Sequence, residues 1–315
     1  MINILSFFNG TAPTGGAYTA ITVLLLLLCI LSSGFTGNVY KKVSEASGHA
    51  AASITMPTVW LLCLGVFFTV LALISKESFT LSLVPVALVS GLCIAVAASI
   101  LLESMKATAL SVSVIIVNLN FVIPVLCSVL FLKETATWLQ LGGMILCMAV
   151  IVLLNMGGTK NGEKVKKSSI LLPLAACIAN GMVNFCIKIN ENNGGSAFWF
   201  FAVMYGSGAV FCLLTGVITN AVKGRGLLPV ALPTLKRALP FMLLIGLCNG
   251  VCFYTASLLA GRMNAAAQFT VVTCASILLS LAVGFLFQGD RFNKKSAVTI
   301  LFCIAAVLCQ YSGIA

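Results

Sequence analysis

The chain has 315 residues, 60% of them hydrophobic and only 8% charged, where a soluble domain is about a quarter charged. Water is therefore not its main solvent, and the expected fold class is an all-α integral membrane protein. The net charge of +11 sits in the gaps between apolar runs, without interleaved stacking aromatics. That excludes a nucleic-acid surface and suits anionic lipid headgroups.

Charge and turn signals predict ten spans, at 18–39, 54–74, 80–102, 107–131, 137–155, 169–189, 197–221, 239–260, 264–287 and 296–314. Several reach or approach the ~20 apolar residues that cross a bilayer. They lack a barrel's alternation, so they are expected to be helices, which satisfy every backbone group in lipid. The first has no basic residue before it and no small-residue cleavage site, which predicts a retained helix. Between spans seven and eight, "VKGRGLLPVALPTLKRALP" mixes basic and apolar residues and is expected to lie along the headgroups.

A shift of 156 residues superposes the halves without a gap from Leu102 to Gly157. Lys106 falls on Arg262, Ala109 on Ala265, Glu134 on Asp290 and Cys147 on Cys303. A shift of 147 pairs Gly34 with Gly181 and Lys41 with Lys188. Five helices per repeat is an odd number, so the second copy enters the bilayer from the opposite side. The expected domains are a five-helix repeat over 1–157, a basic linker over 158–168 and an inverted five-helix repeat over 169–315. Inverted repeats are typical of transporters with a site at mid-bilayer between the halves. Glu134 and Asp290 then mark equivalent turns on opposite faces, where a charge costs little; each is read as capping its turn and fixing its depth, with a gating role as the alternative.

The stretch "MKATALSVSVIIVNLNFVIPVLCSVLFLKETATWLQLGGMILCMAVIVLLN" resembles the EamA domain of the drug/metabolite transporter superfamily. Its cues are the Ala-rich helix start, Pro124 in mid-helix, the acidic Glu134, then Gln140 and Gly142–Gly143 opening the next span. The second half matches more loosely, with Asp290, Ser280 and Thr299 at the corresponding places. The resemblance implies a ten-helix bundle of two inverted repeats that exports or exchanges small metabolites by alternating access.

Lys and Arg divide unevenly between the two sides. The gaps after odd-numbered spans hold fourteen, and the other side holds Lys76, Lys133, Lys188 and Arg262. The positive-inside rule then places both termini outside a plasma (inner) membrane, whereas many relatives are expected to have them inside.

A transport site needs polar groups facing a cavity. In the fourth span Ser113, Asn120 and Pro124 share a helical face, with Asn118 nearby. Pro124 frees a carbonyl near Asn120. The same face in the ninth span carries Thr273 and Ser276, and these two helices are expected to face each other. Asn180, Asn184 and Lys188 form a stripe on the sixth span that ends at the membrane edge. Asn38 in the first span, Asn249 and Tyr254 in the eighth and Gln268 in the ninth complete the substrate-binding candidates. For each, the plainer alternative is a hydrogen bond between helices.

No Asp or Glu lies deep in any predicted span; Glu103, at the end of the third, comes closest and is read as an edge ion pair with Lys106. A cationic drug would lack its counter-charge, so a neutral or zwitterionic metabolite is the expected substrate. The other expected partner is the lipid bilayer, and a homodimer is left open. Thirteen cysteines lie in apolar runs without metal-ligand spacing and read as packing residues. His49 is the only histidine and falls in a loop, so a Ser–His pair in the membrane is unavailable. No phosphate-cradling glycine motif appears. Neither enzyme activity nor a cofactor is expected; a channel or a membrane scaffold is the alternative to a carrier.

Overall fold

The computed structural model describes residues 16–46, 50–107, 117, 119–155, 167–222, 232–287 and 294–311. Among these are ten α-helices and one 3-10 turn. The helices are α1 (Gly16–Ala46), α2 (Ala50–Ile74), α3 (Leu83–Ala107), α4 (Val122–Phe131) and α5 (Trp138–Asn155). They continue as α6 (Lys167–Asn192), α7 (Ala197–Val222), α8 (Leu232–Ala260), α9 (Ala265–Phe287) and α10 (Lys294–Tyr311). Five of them (α2, α3, α6, α7 and α8) are long and apolar enough to cross a membrane, and shorter apolar helices lie in the other five. Leu24, Leu62, Phe67, Leu213, Leu247 and Leu301 are exposed, as side chains facing acyl chains would be.

Several spans differ from expectation, the first of them running to Ala46 rather than 39. The segment expected to lie along the headgroups is already helical from Leu232, so Pro240 falls inside α8; residues 223–231 lie outside the described set. Helix α6 runs on to Asn192 and takes in Glu191. In the fourth span a 3-10 turn at Leu119–Phe121 directly precedes α4, while residues 108–116 and 118 lie outside the described set. Pro124 explains that turn: without an N–H it cannot receive the Asn120 carbonyl.

Packing between the halves follows a rule. Helix α1 lies along α8 and α6 along α3; α3 meets α7 and α8 meets α2; α4 meets α6 and α9 meets α1. Each of these pairs becomes its partner when helix numbers advance by five, while α2–α7 and α5–α10 map onto themselves. Small residues allow the close crossings. A Cβ on Gly65 would stand 3.0 Å from the Gly206 nitrogen, and one on Gly143 would stand 2.9 Å from the Ala306 carbonyl.

Buried apolar side chains gather into two main cores and a small third cluster, in which Leu25 and Cys29 of α1 and Ala256 and Leu259 of α8 meet Val272 of α9. The larger draws on α1–α3 and α6–α8, with Trp60, Phe201 and Met242 fully buried. The smaller draws on the 3-10 turn, α4, α5, α9 and α10, around Phe121, Val125, Cys147, Phe269 and Cys303. Each core takes the same-numbered helices from both halves.

Candidate functional site

Helix termini leave backbone N–H and C=O groups without intrahelical partners, and lipid supplies none. At one end of the bundle, side chains from opposite halves of the chain fill this need. Helices α2 and α4 both stop with a lysine in the left-handed region, Lys76 at φ 54° and Lys133 at φ 54°. Each lysine is followed by a glutamate that crosses to the second half.

Glu77 accepts a hydrogen bond from Ser196, and its backbone carbonyl accepts the Trp199 indole N–H at 2.9 Å. Ser196 also caps α7, accepting the Trp199 amide at 3.1 Å. Glu134 sits in the α4–α5 turn. Its Oε2 accepts the Ala265 amide at the start of α9 at 2.9 Å, and its Oε1 lies 2.9 Å from the Lys188 Nζ. Lys188 is 2% exposed; it also donates to the carbonyls of Ala260 at 2.7 Å and Met263 at 2.8 Å. All three ammonium protons therefore have acceptors. The carboxylate faces the positive end of one helix dipole, and the ammonium faces the negative end of another.

Beside this pair, Thr137 and Gln140 form a capping box on α5, with reciprocal bonds of 3.0 and 3.3 Å. The Gln140 amide reaches Asn264, whose Oδ1 caps α9 by accepting the Ala267 amide at 2.9 Å. Ser257 of α8 donates to Glu191 of α6.

The substrate candidates from the sequence are spread along the bundle. Gln268 donates from Nε2 to the Ala256 carbonyl at 2.7 Å, while its Oε1 is buried without a protein partner among the described residues. Asn249 donates to the Tyr40 hydroxyl at 3.2 Å, joining α8 to α1. Tyr254 stacks on Phe198 at 5.5 Å between ring centroids and meets Phe68 and Phe201. Ser276 shares a hydrogen bond with Ser33 of α1, and Thr273 is half-buried one turn away. Helix α6 passes directly over the 3-10 turn: a Cβ on Gly181 would meet the Asn120 carbonyl at 2.8 Å. Asn180 and Asn120 are half-buried there, Asn184 and Pro124 buried. Ser113 and Asn118 lie outside the described residues, as do the side chain of Asn38 and all of Asp290.

Residues 20–156 match the EamA-like transporter family. This segment is similar to EamA-like transporter sequences. The family's members are membrane transporters of small solutes, which agrees with the apolar helices found here. A comparison with curated proteins finds no match. Among solved structures, one crystal structure has a TM-score of 0.65 at 12% identity. The alignment covers 90% of this chain and 98% of that one, a likeness of fold.

Sequence reasoning had singled out Glu134 as a turn residue and Lys188 as the end of a stripe, without pairing them. The missed residues are Glu77, Glu191, Ser196 and Asn264. The repeated "KE" after an apolar run, at 76–77 and 133–134, was the available signal.

Proposed function

We propose that this EamA-like protein is a secondary carrier that moves a small neutral or zwitterionic metabolite by alternating access. On this reading, residues 1–157 and 169–315 are inverted five-helix repeats, and the ten helices are ten spans of a plasma membrane protein with both termini outside. Export or exchange follows from the family resemblance. The observation that carries the proposal is the packing pattern: two main cores, each assembled from the same-numbered helices of both halves. Such a division gives two bodies that can rock against each other about a site between them. The unpartnered Gln268 oxygen supports a polar cavity, because buried polar atoms need a water or ligand where protein supplies nothing. Asn38, Ser113, Asn118, Asn120, Asn180, Asn184, Asn249, Tyr254, Thr273 and Ser276 are the further lining residues proposed.

A second reading, export of an organic cation, is favoured by the carboxylates of Glu77 and Glu191, which accept hydrogen bonds from Ser196 and Ser257 at the same end of the bundle. Counterflow in proteoliposomes tests both readings, with amino acids, sugars and a quaternary amine as trial solutes. Saturable trans-stimulation by one of them, reduced by Asn120→Ala, Asn184→Ala or Asn249→Ala, is expected. Flux without trans-stimulation would indicate a channel. No flux for any solute would leave the scaffold.

A further inference from the structure

We infer that the Glu134–Lys188 ion pair is a gate latch. It holds the two cores together at one end of the bundle and parts when that end opens. The inference rests on the alternating-access reading above.

The position of the pair carries the argument. Glu134 lies in the turn joining α4 and α5, and Ala265 begins α9; all three helices belong to the smaller core. Lys188 and Ala260 lie on α6 and α8, both of the larger core. The bond from the Ala265 amide to Glu134 is thus internal to one body and the bond from Lys188 to the Ala260 carbonyl is internal to the other, while the Lys188 bond to Met263 falls in the turn that joins them. The contact between Glu134 and Lys188 spans the seam.

When the seam parts, neither charge is stranded. Glu134 keeps the α9 amide, and Lys188 keeps a carbonyl at the end of α8. Water entering the opening completes both shells. A buried pair is costly to break because the freed charge lacks solvation, whereas an exposed pair contributes little. The pair is therefore strong when the end is dry and weak once it is wet, which makes a two-state contact.

This end also has a fixed place along the bundle. Arg262 of the α8–α9 turn donates to Thr22 near the start of α1. Lys42 lies 20 residues further along α1, about 30 Å away by helical rise, where it sits over the Phe241 ring at 5.2 Å. If the pair is a latch, releasing it shifts the bundle towards closure at the Lys42 end.

Hydrogen–deuterium exchange on the full chain in lipid nanodiscs compares wild type with Glu134→Gln. The expected result is exchange about tenfold or more faster at amides of 258–268. Amides of 40–46 and 235–241 should exchange more slowly, even though the lost pair lowers the melting temperature. Faster exchange in every helix with a matching fall in melting temperature would make the pair a mere brace and overturn the proposal. Unchanged exchange at 258–268, or faster exchange there without slowing at the far end, would overturn it too. If Glu134→Gln does not fold, Glu134→Asp, which keeps the charge and shortens its reach, is judged by the same criteria. Counterflow separates the two claims: reciprocal exchange without transport keeps the latch and sinks the carrier, and transport without reciprocal exchange does the reverse.

Discussion

Gln140 and Asn264 exchange two hydrogen bonds between the halves of the chain, Nε2 to Oδ1 at 3.4 Å and Nδ2 to Oε1 at 3.2 Å. Each is also a cap, Gln140 on α5 and Asn264 on α9. Replacing either by Ala is expected to cost about 1–2 kcal/mol, as losing a cap does. The double variant should lose less than the two costs added, by about 0.5 kcal/mol or more. Unfolding in detergent micelles measures all three, and additive costs would show that the caps act independently.

Lys188→Met removes the buried ammonium and leaves Glu134 on the α9 amide alone. The expected loss is about 3–5 kcal/mol, the cost of breaking a buried pair from one side. Exchanging the two charges, Glu134→Lys with Lys188→Glu, should not rescue stability. It would put an ammonium against helix N–H groups and a carboxylate against carbonyls, both opposed to the dipoles. Melting temperatures of the single and double variants decide this, and recovery to wild type would mean that the pair acts by mutual attraction alone.

Gly181→Ala is expected to destabilise by about 1–3 kcal/mol through overpacking, because its Cβ would meet Ile123 Cβ at 2.6 Å and the Asn120 carbonyl at 2.8 Å. Gly142→Ala is the control. Nothing lies within 4 Å of its added Cβ, and it should be neutral or stabilise by up to about 1 kcal/mol. Equal effects at the two positions would contradict the close approach of α6 to the 3-10 turn.

The internal repeat supplies a sequence counterpart for Glu134, Lys188 and Ala265. Asp290 stands for Glu134, Lys41 for Lys188 and Ala109 for Ala265. Those side chains lie outside the described set, so the expectation rests on sequence alone. Asp290→Asn should change hydrogen exchange at 258–268 in the direction opposite to Glu134→Gln. The same direction in both variants would mean that the repeat extends to fold and not to charge.

The sequence made the helices legible because lipid permits little else: an apolar run of this length has to bond its own backbone. Pro124 announced the break at Asn120, since a missing N–H is a property of one residue. Partners were not legible. Asn180, Asn184 and Lys188 mark one face of α6 in the sequence, but most helices here are apolar on nearly every side, so nothing told which helix ends that face would meet. Lys188 looked like an edge residue because its acceptors are backbone carbonyls more than seventy positions away, and carbonyls leave no mark in a sequence. Glu191 was placed beyond a span that in fact encloses it. Asn249 and Ser276 read equally well as lining or as interhelical bonds; the structure gives both a partner on α1, through Tyr40 and Ser33.

The acceptors of Lys188 are synthesised at different times. Glu134 leaves the ribosome before the lysine does, but the carbonyls of Ala260 and Met263 follow it by 72 and 75 residues. At bacterial or eukaryotic translation speeds that is a wait of about 4–15 s. During it the ammonium must rely on the carboxylate and on whatever water or translocon surface is at hand. Biogenesis of this protein thus has a vulnerable interval, and the carboxylate that arrives early serves as chaperone to a cation whose permanent berth is not yet built.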